Sequence, residues 1–234
     1  MECNCRDLVR HFRLQQERYS PGYYAFSAYR SFVLGIATQY AGSRLMEQLD
    51  LSALGDDLCL SVSDDFPEAV TTIRTVGDLR NAMKTGEYGQ LCLRQATVQL
   101  CTAFEVFFDT VSEIYGISVG RSDCVSATYR VISASPIALG NKAIMQIRKL
   151  HNQLFIQSVL NEDEVFVKLA AIIEARNCIV HSAAVVSDAK TVERLRAYAI
   201  HHSVGESLQL KDNLFDDFLH YMGIHITAFV KRLP

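Results

Sequence analysis

Apolar residues recur at steps of three and four along most of this chain, a period that predicts helices. The strongest run starts near Tyr88. Leu93, Ala96, Leu100, Ala103, Phe107, Val111 and Ile114 form one stripe over about six turns, closed by Gly116. Upstream, Leu8, Val9, Phe12 and Leu14 mark an amphipathic helix within Cys3 to Tyr19, broken by Ser20-Pro21-Gly22. A second helix is expected from Tyr23 to Leu49. Tyr23, Tyr24, Phe26, Tyr29 and Phe32 crowd its first turns, and at helical spacing they read as core rather than as a base-stacking platform. Asp50 to Pro67 reads as a linker with one short strand at Leu58 to Val62, and a brief helix follows at Val76 to Met83.

Beyond Gly116, Ser118 to Ser135 reads as either a loop or a short helix. Asn141 to Ser158 is helical, with Ile144, Ile147, Leu150, Leu154 and Phe155 on one face and Lys142, Arg148, Lys149 and His151 on the other. Asn161 opens a capping box with Glu164 three residues on. Its helix runs through Val165, Leu169, Ile172 and Ile173 to His181. Ser187-Asp188 offers an N-cap to a helix at Val192 to Ile200, Gly205 to Leu210 alternates like the edge of a short hairpin, and a last helix spans Asp212 to Val230. The pattern as a whole is all-α.

Composition narrows this further. An apolar share of 49% is too high for a disordered chain, and four prolines with twelve glycines are too few for a turn-rich β-sandwich. A net charge of -3 excludes a broadly basic nucleic-acid coat, so any contact with RNA must be local. The cysteines are scattered without paired CxxC spacing, and Cys3-Asn4-Cys5 with His11 reads as a plain N-terminal helix rather than a metal site. The opening residues do not read as a signal peptide, and no apolar run reaches the ~18 residues of a membrane span. The expectation is a soluble, cytoplasmic, reduced protein.

One residue breaks its pattern. The stripe Val165, Leu169, Ile172 continues to 176 and 179, and position 176 is an arginine. A guanidinium there needs anionic or hydrogen-bonding partners. It is either paired with a carboxylate inside the fold, Glu174 or a distant aspartate, or exposed in a cleft. Arg176 and Asn177, followed after three residues by His181 at a helix end, resemble the RxxxxH motif of the HEPN superfamily. The order of elements is similar too: a long helix with a Phe104-Glu105 pair, two further helices, the motif helix, a hairpin-like patch and a terminal helix.

The resemblance implies an antiparallel HEPN-like helical bundle over residues 86–234, leaving 1–85 as a helical N-terminal extension of unknown role. It implies a dimer, and a metal-independent endoribonuclease with Arg176 and His181 as its catalytic pair. It also implies a toxin or antiviral defence effector with an antitoxin or regulatory partner, which the N-terminal extension could bind. The chemistry is consistent. RNA brings its own nucleophile, the 2′-hydroxyl, so no metal or cofactor is called for. Histidine suits the proton transfers, and arginine suits the charge building on phosphate.

Helix geometry adds a constraint of its own. Five residues place Arg176 and His181 about 140° apart around the axis and ~7.5 Å along it, so they do not share a face. Two motifs across a two-fold axis solve this, one chain's arginine working beside the other's histidine. Asn177, one turn before His181, would orient the histidine or line the cleft. Arg148 and Lys149 are weaker candidates for the RNA path.

The alternative is a non-catalytic helical dimerisation or binding module for a partner protein or nucleotide. Ala183 stands where relatives inhibited by nucleotidyltransferase antitoxins carry a modified tyrosine, which argues against that toxin class. Asp64-Asp65 and Asp216-Asp217 point about 100° apart on a helix and read as caps or solvated faces. His201-His202, His220 and His225 lack zinc spacing, and no nucleophile elbow, P-loop or dinucleotide fingerprint is present.

Overall fold

The computed structural model describes residues 21–58, 73–118, 128–130, 136–138, 142–153, 162–196, 200–211 and 213–231. It is predominantly helical. The helices are α1 (Pro21–Met46), α2 (Val76–Thr85), α3 (Glu87–Ile114), α4 (Lys142–Gln153), α5 (Glu162–His181), α6 (Ala189–Leu195) and α7 (Leu214–Val230). Two strands, β1 (Thr128–Arg130) and β2 (Pro136–Ala138), pair antiparallel with Tyr129 opposite Ile137. Part of the stretch read as a loop or short helix is therefore extended. The expected Cys3–Tyr19 helix, the strand beyond Leu58 and the Asn161 cap lie outside the described residues.

Local signals explain the boundaries. Thr75 and Asp78 form a reciprocal capping box at the start of α2. Gly86, at φ 78°, ends α2 and opens α3 in a left-handed turn that favours glycine. Gly116, at φ 64°, does the same just past α3. Asp188 caps α6 through the Thr191 amide, so that helix starts earlier than the apolar pattern suggests.

α3 is the spine, in contact with α1, α2, α4, α5 and α7. Its buried surface is wider than the expected stripe, because Phe104 and Phe108 are buried beside Leu100, Phe107 and Val111. α5 is buried almost all round between Phe166 and Ala175. Helix α1, from the N-terminal extension, packs along α3 and shares the same core. Tyr29 lies 5.5 Å from Phe107 and Tyr40 lies 4.6 Å from Phe215 of α7, centroid to centroid. The α1 aromatics divide: Tyr29 is buried, whereas Tyr24 and Phe32 face outward. Among the described residues no helix is long and apolar enough to cross a membrane.

Candidate functional site

The arginine on the apolar stripe finds its partner across the bundle. Arg176 Nη2 donates to Glu105 Oε2 of α3 at 2.8 Å, and Nη1 donates to Asn177 Oδ1 at 3.0 Å. The pair is neither sealed nor free: the two side chains are 22% and 24% exposed. Arg176 Nε is buried with no hydrogen-bond partner among the described residues. Asn177 therefore spends its carbonyl on the arginine next to it, and not on His181. Of the two partners open to Arg176 on sequence, neither is the one used. Glu174 is committed elsewhere, to Thr191 Oγ1 at 2.9 Å and Arg194 Nη1 at 2.6 Å.

Glu105 does not stand alone. Asp109, one turn on along α3, accepts from the Gln146 side chain of α4 at 2.9 Å. Burial pushes the Glu105 carboxyl above its ordinary range, the Arg176 guanidinium pulls it back, and Asp109 adds a further push upward. Two carboxylates and one arginine thus share a half-covered surface between α3, α4 and α5. Sequence reading named Glu105 only as part of a motif and missed Asp109 and Gln146. The available signal was two acids at i and i+4 on a helix otherwise crowded with phenylalanine.

His181 is the last residue of α5 and is exposed. Since α5 is regular through this turn, the angular separation from Arg176 stands, and one chain does not bring the two onto one face. The turn after His181 is unusual. Ala183 and Ala184 have φ of 50° and 61°, a region that costs an alanine energy. The cost is offset by hydrogen bonds on both sides. Ala184 N–H donates to Cys178 O at 2.9 Å, and Ala184 O accepts from Leu208 N–H at 2.6 Å. Val186 exchanges bonds with Glu206 and Gly205, and Val185 bridges Ser207. The alternating Gly205–Leu210 patch is thus one half of a short antiparallel pairing. Gln90 of α3 then holds Leu210 through both its amide groups, at 2.7 and 2.9 Å. The end of the motif helix is tied to α3 through this loop.

The weaker candidates also make contacts within the chain. The Arg148 guanidinium sits 5.5 Å from the Phe166 ring centroid, and Lys149 donates to Ser118 O at 3.1 Å. Among the described residues no three of His, Cys, Asp or Glu gather as a metal site; Cys3, Cys5 and Asp64-Asp65 lie outside them. Neither family models, curated proteins nor solved structures match this chain.

Proposed function

We infer that this chain is a metal-independent endoribonuclease of HEPN type, built as an antiparallel helical bundle over residues 86–234. It works as a homodimer in which Arg176 of one chain acts beside His181 of the other. The observation that supports this reading most is the partly exposed Arg176 held at the bundle surface by Glu105, five residues before a solvent-facing His181 on the same helix.

The mechanism follows from the groups. His181, neutral, takes the proton from a ribose 2′-hydroxyl as that oxygen attacks the adjacent phosphorus. The bond to the leaving 5′-oxygen breaks, and a protonated imidazole returns a proton to it. The products are a 2′,3′-cyclic phosphate and a 5′-hydroxyl. Arg176 offers planar donors to the phosphate oxygens as charge builds, and Glu105 fixes the plane of that fork. A nuclease of this kind harms its own cell if always on, which fits a toxin or antiviral defence effector kept in check by a regulatory partner protein.

The test is cleavage of total RNA in EDTA by the full chain, by Arg176→Ala, by His181→Ala and by an equal mixture of the two variants. Each variant alone should lose at least about 100-fold in rate. Re-equilibrated mixed dimers contain one intact composite site, so the mixture should recover about a quarter of the full activity. Cleavage that persists in either variant, or that needs a metal, sinks the assignment. A second reading draws on the same ion pair. With Arg176 already neutralised by Glu105, the chain is a non-catalytic helical dimerisation or binding module. On that reading no RNA is cut and the variants change only binding.

A further inference from the structure

His181 ends α5 at an exposed position, and among the described residues no hydrogen bond fixes its ring. Where that ring stands is set by the backbone that follows it. A single left-handed residue, usually glycine, commonly ends a helix. Here two alanines in succession take that conformation, Ala183 at φ 50° and Ala184 at φ 61°. Such backbone persists where its surroundings over-determine it.

The surroundings lead to α3. Leu208 donates its N–H to Ala184 O at 2.6 Å and accepts on its own O from Arg94 Nη2 at 2.5 Å. One residue therefore relays α3 to the turn. Arg94 Nη2 also donates to Ser207 Oγ at 3.2 Å, and Gln90, one turn earlier on α3, holds both backbone groups of Leu210. Ala184, Val186, Leu208 and Leu210 are buried, whereas Val185, Ser207 and Gln209 face solvent. The paired segments thus form a strap sealed on one side.

The same helix holds the other half of the candidate pair. Arg94 and Glu105 are eleven residues apart, about 20° around the axis and roughly 16 Å along it. They share a face of α3. One supports the strap behind His181, and the other holds Arg176.

We propose that Gln90 and Arg94 are positioning residues for His181, acting through the 205–210 strap and the Ala183–Ala184 turn, so that α3 sets the spacing of the Arg176/His181 pair. The assignment rests on the ribonuclease reading and extends it to residues outside the motif. Ala183 gives the reason for positioning over mere support. It is exposed, so packing does not demand its methyl group, and glycine would form the same turn without steric cost. Glycine would also reach other conformations, so what alanine adds is stiffness directly behind His181.

The test compares the full chain with Ala183→Gly, Gln90→Met, Arg94→Met and, as a distant stability control, the α2 cap variant Thr75→Ala. RNA cleavage in EDTA, urea unfolding and the NMR signals of the His181 imidazole are read for each. Ala183→Gly should be at least as stable as the unmodified chain, because it removes a positive-φ alanine. Its kcat should nevertheless fall about 10-fold or more, with KM within about twofold, the pattern of a misplaced catalytic group. Gln90→Met and Arg94→Met should lower kcat in the same way. Adding Gln90→Met to Ala183→Gly should cost little more, since both act on one link. Thr75→Ala should lose stability and keep kcat. In all three strap variants the His181 signals should move or broaden.

Full kcat in Ala183→Gly, or losses that merely follow stability across the set, overturn the proposal. If no form of the chain cuts RNA, the ribonuclease reading falls and the imidazole decides. Unchanged His181 signals then overturn the link to α3, and altered ones support it.

Discussion

Two arginine–glutamate pairs meet on α5, and they differ in closure. The Glu174 side chain is 12% exposed and accepts from both Thr191 and Arg194, the latter 19% exposed, so both carboxylate oxygens are used. It joins α6 to α5 through both oxygens of the carboxylate. Two residues on, Arg176 meets Glu105 through one nitrogen at the edge of the bundle, with both side chains near a quarter exposed. The first arrangement is a structural staple. The second holds a cation in place while leaving part of it in reach of solvent. Charge alone does not tell a site from a strut; the difference lies in how many of the polar atoms are already spent.

The largest expected effects separate the two pairs by readout. Arg176→Ala should cut RNA cleavage at least about 100-fold, yet cost only about 1 kcal/mol in urea unfolding, because its pair is solvent-screened. Glu174→Ala should do the reverse. It removes the acceptor of partly buried Arg194 and of buried Thr191 and should cost about 3 kcal/mol of stability. Cleavage by its folded fraction should be nearly unchanged. Equal stability losses in the two variants would erase the contrast.

A smaller effect concerns Glu105. Glu105→Gln keeps an acceptor for Arg176 and removes the titration. The folded-state carboxyl is raised above its unfolded value, so its contribution to stability is full below the ordinary 4.5 and is lost as pH rises through the folded value. Stability of the unmodified chain relative to Glu105→Gln should therefore fall as pH rises above the ordinary 4.5, as read by denaturant unfolding across the acid-to-neutral range. A difference that grows with pH would mean that the Arg176 attraction outweighs burial.

The smallest is the cap of α6. Asp188 is held below its ordinary range, first by the Thr191 amide. Asp188→Ala should cost about 1 kcal/mol at neutral pH. Because the folded value is lowered, that loss should fade as pH drops below the unfolded value, and a pH-independent loss would contradict the assignment.

How much of this was legible beforehand follows from what each signal reports. The helices around Leu100, Ile147, Leu169 and Phe218 were readable because burial on one face leaves a local period. The oddity of Arg176 was readable for the same reason. Phe104 and Phe108 were missed as core because a helix surrounded by five others buries more than one stripe. Phe32 was grouped with Tyr29, although only Tyr29 points into the core, since aromatic spacing alone does not say which side of α1 meets α3. Arg148 and Lys149 read as a free basic face, and the fold engages them with Phe166 and Ser118.

The sequence by itself determined the helical class, most element boundaries, the caps at Asp188 and Gly116, and the one position where a charge interrupts an apolar stripe. These are short-range matters of period, capping and backbone preference. Only the tertiary structure decided that Glu105, 71 residues away, holds Arg176. It also decided that Glu174 serves α6, that the Gly205–Leu210 loop fixes the turn after His181, and that α1 and α3 leave an uncharged groove between them. Such pairings depend on how helices cross, and a linear pattern carries each helix's buried face but not which neighbour it meets.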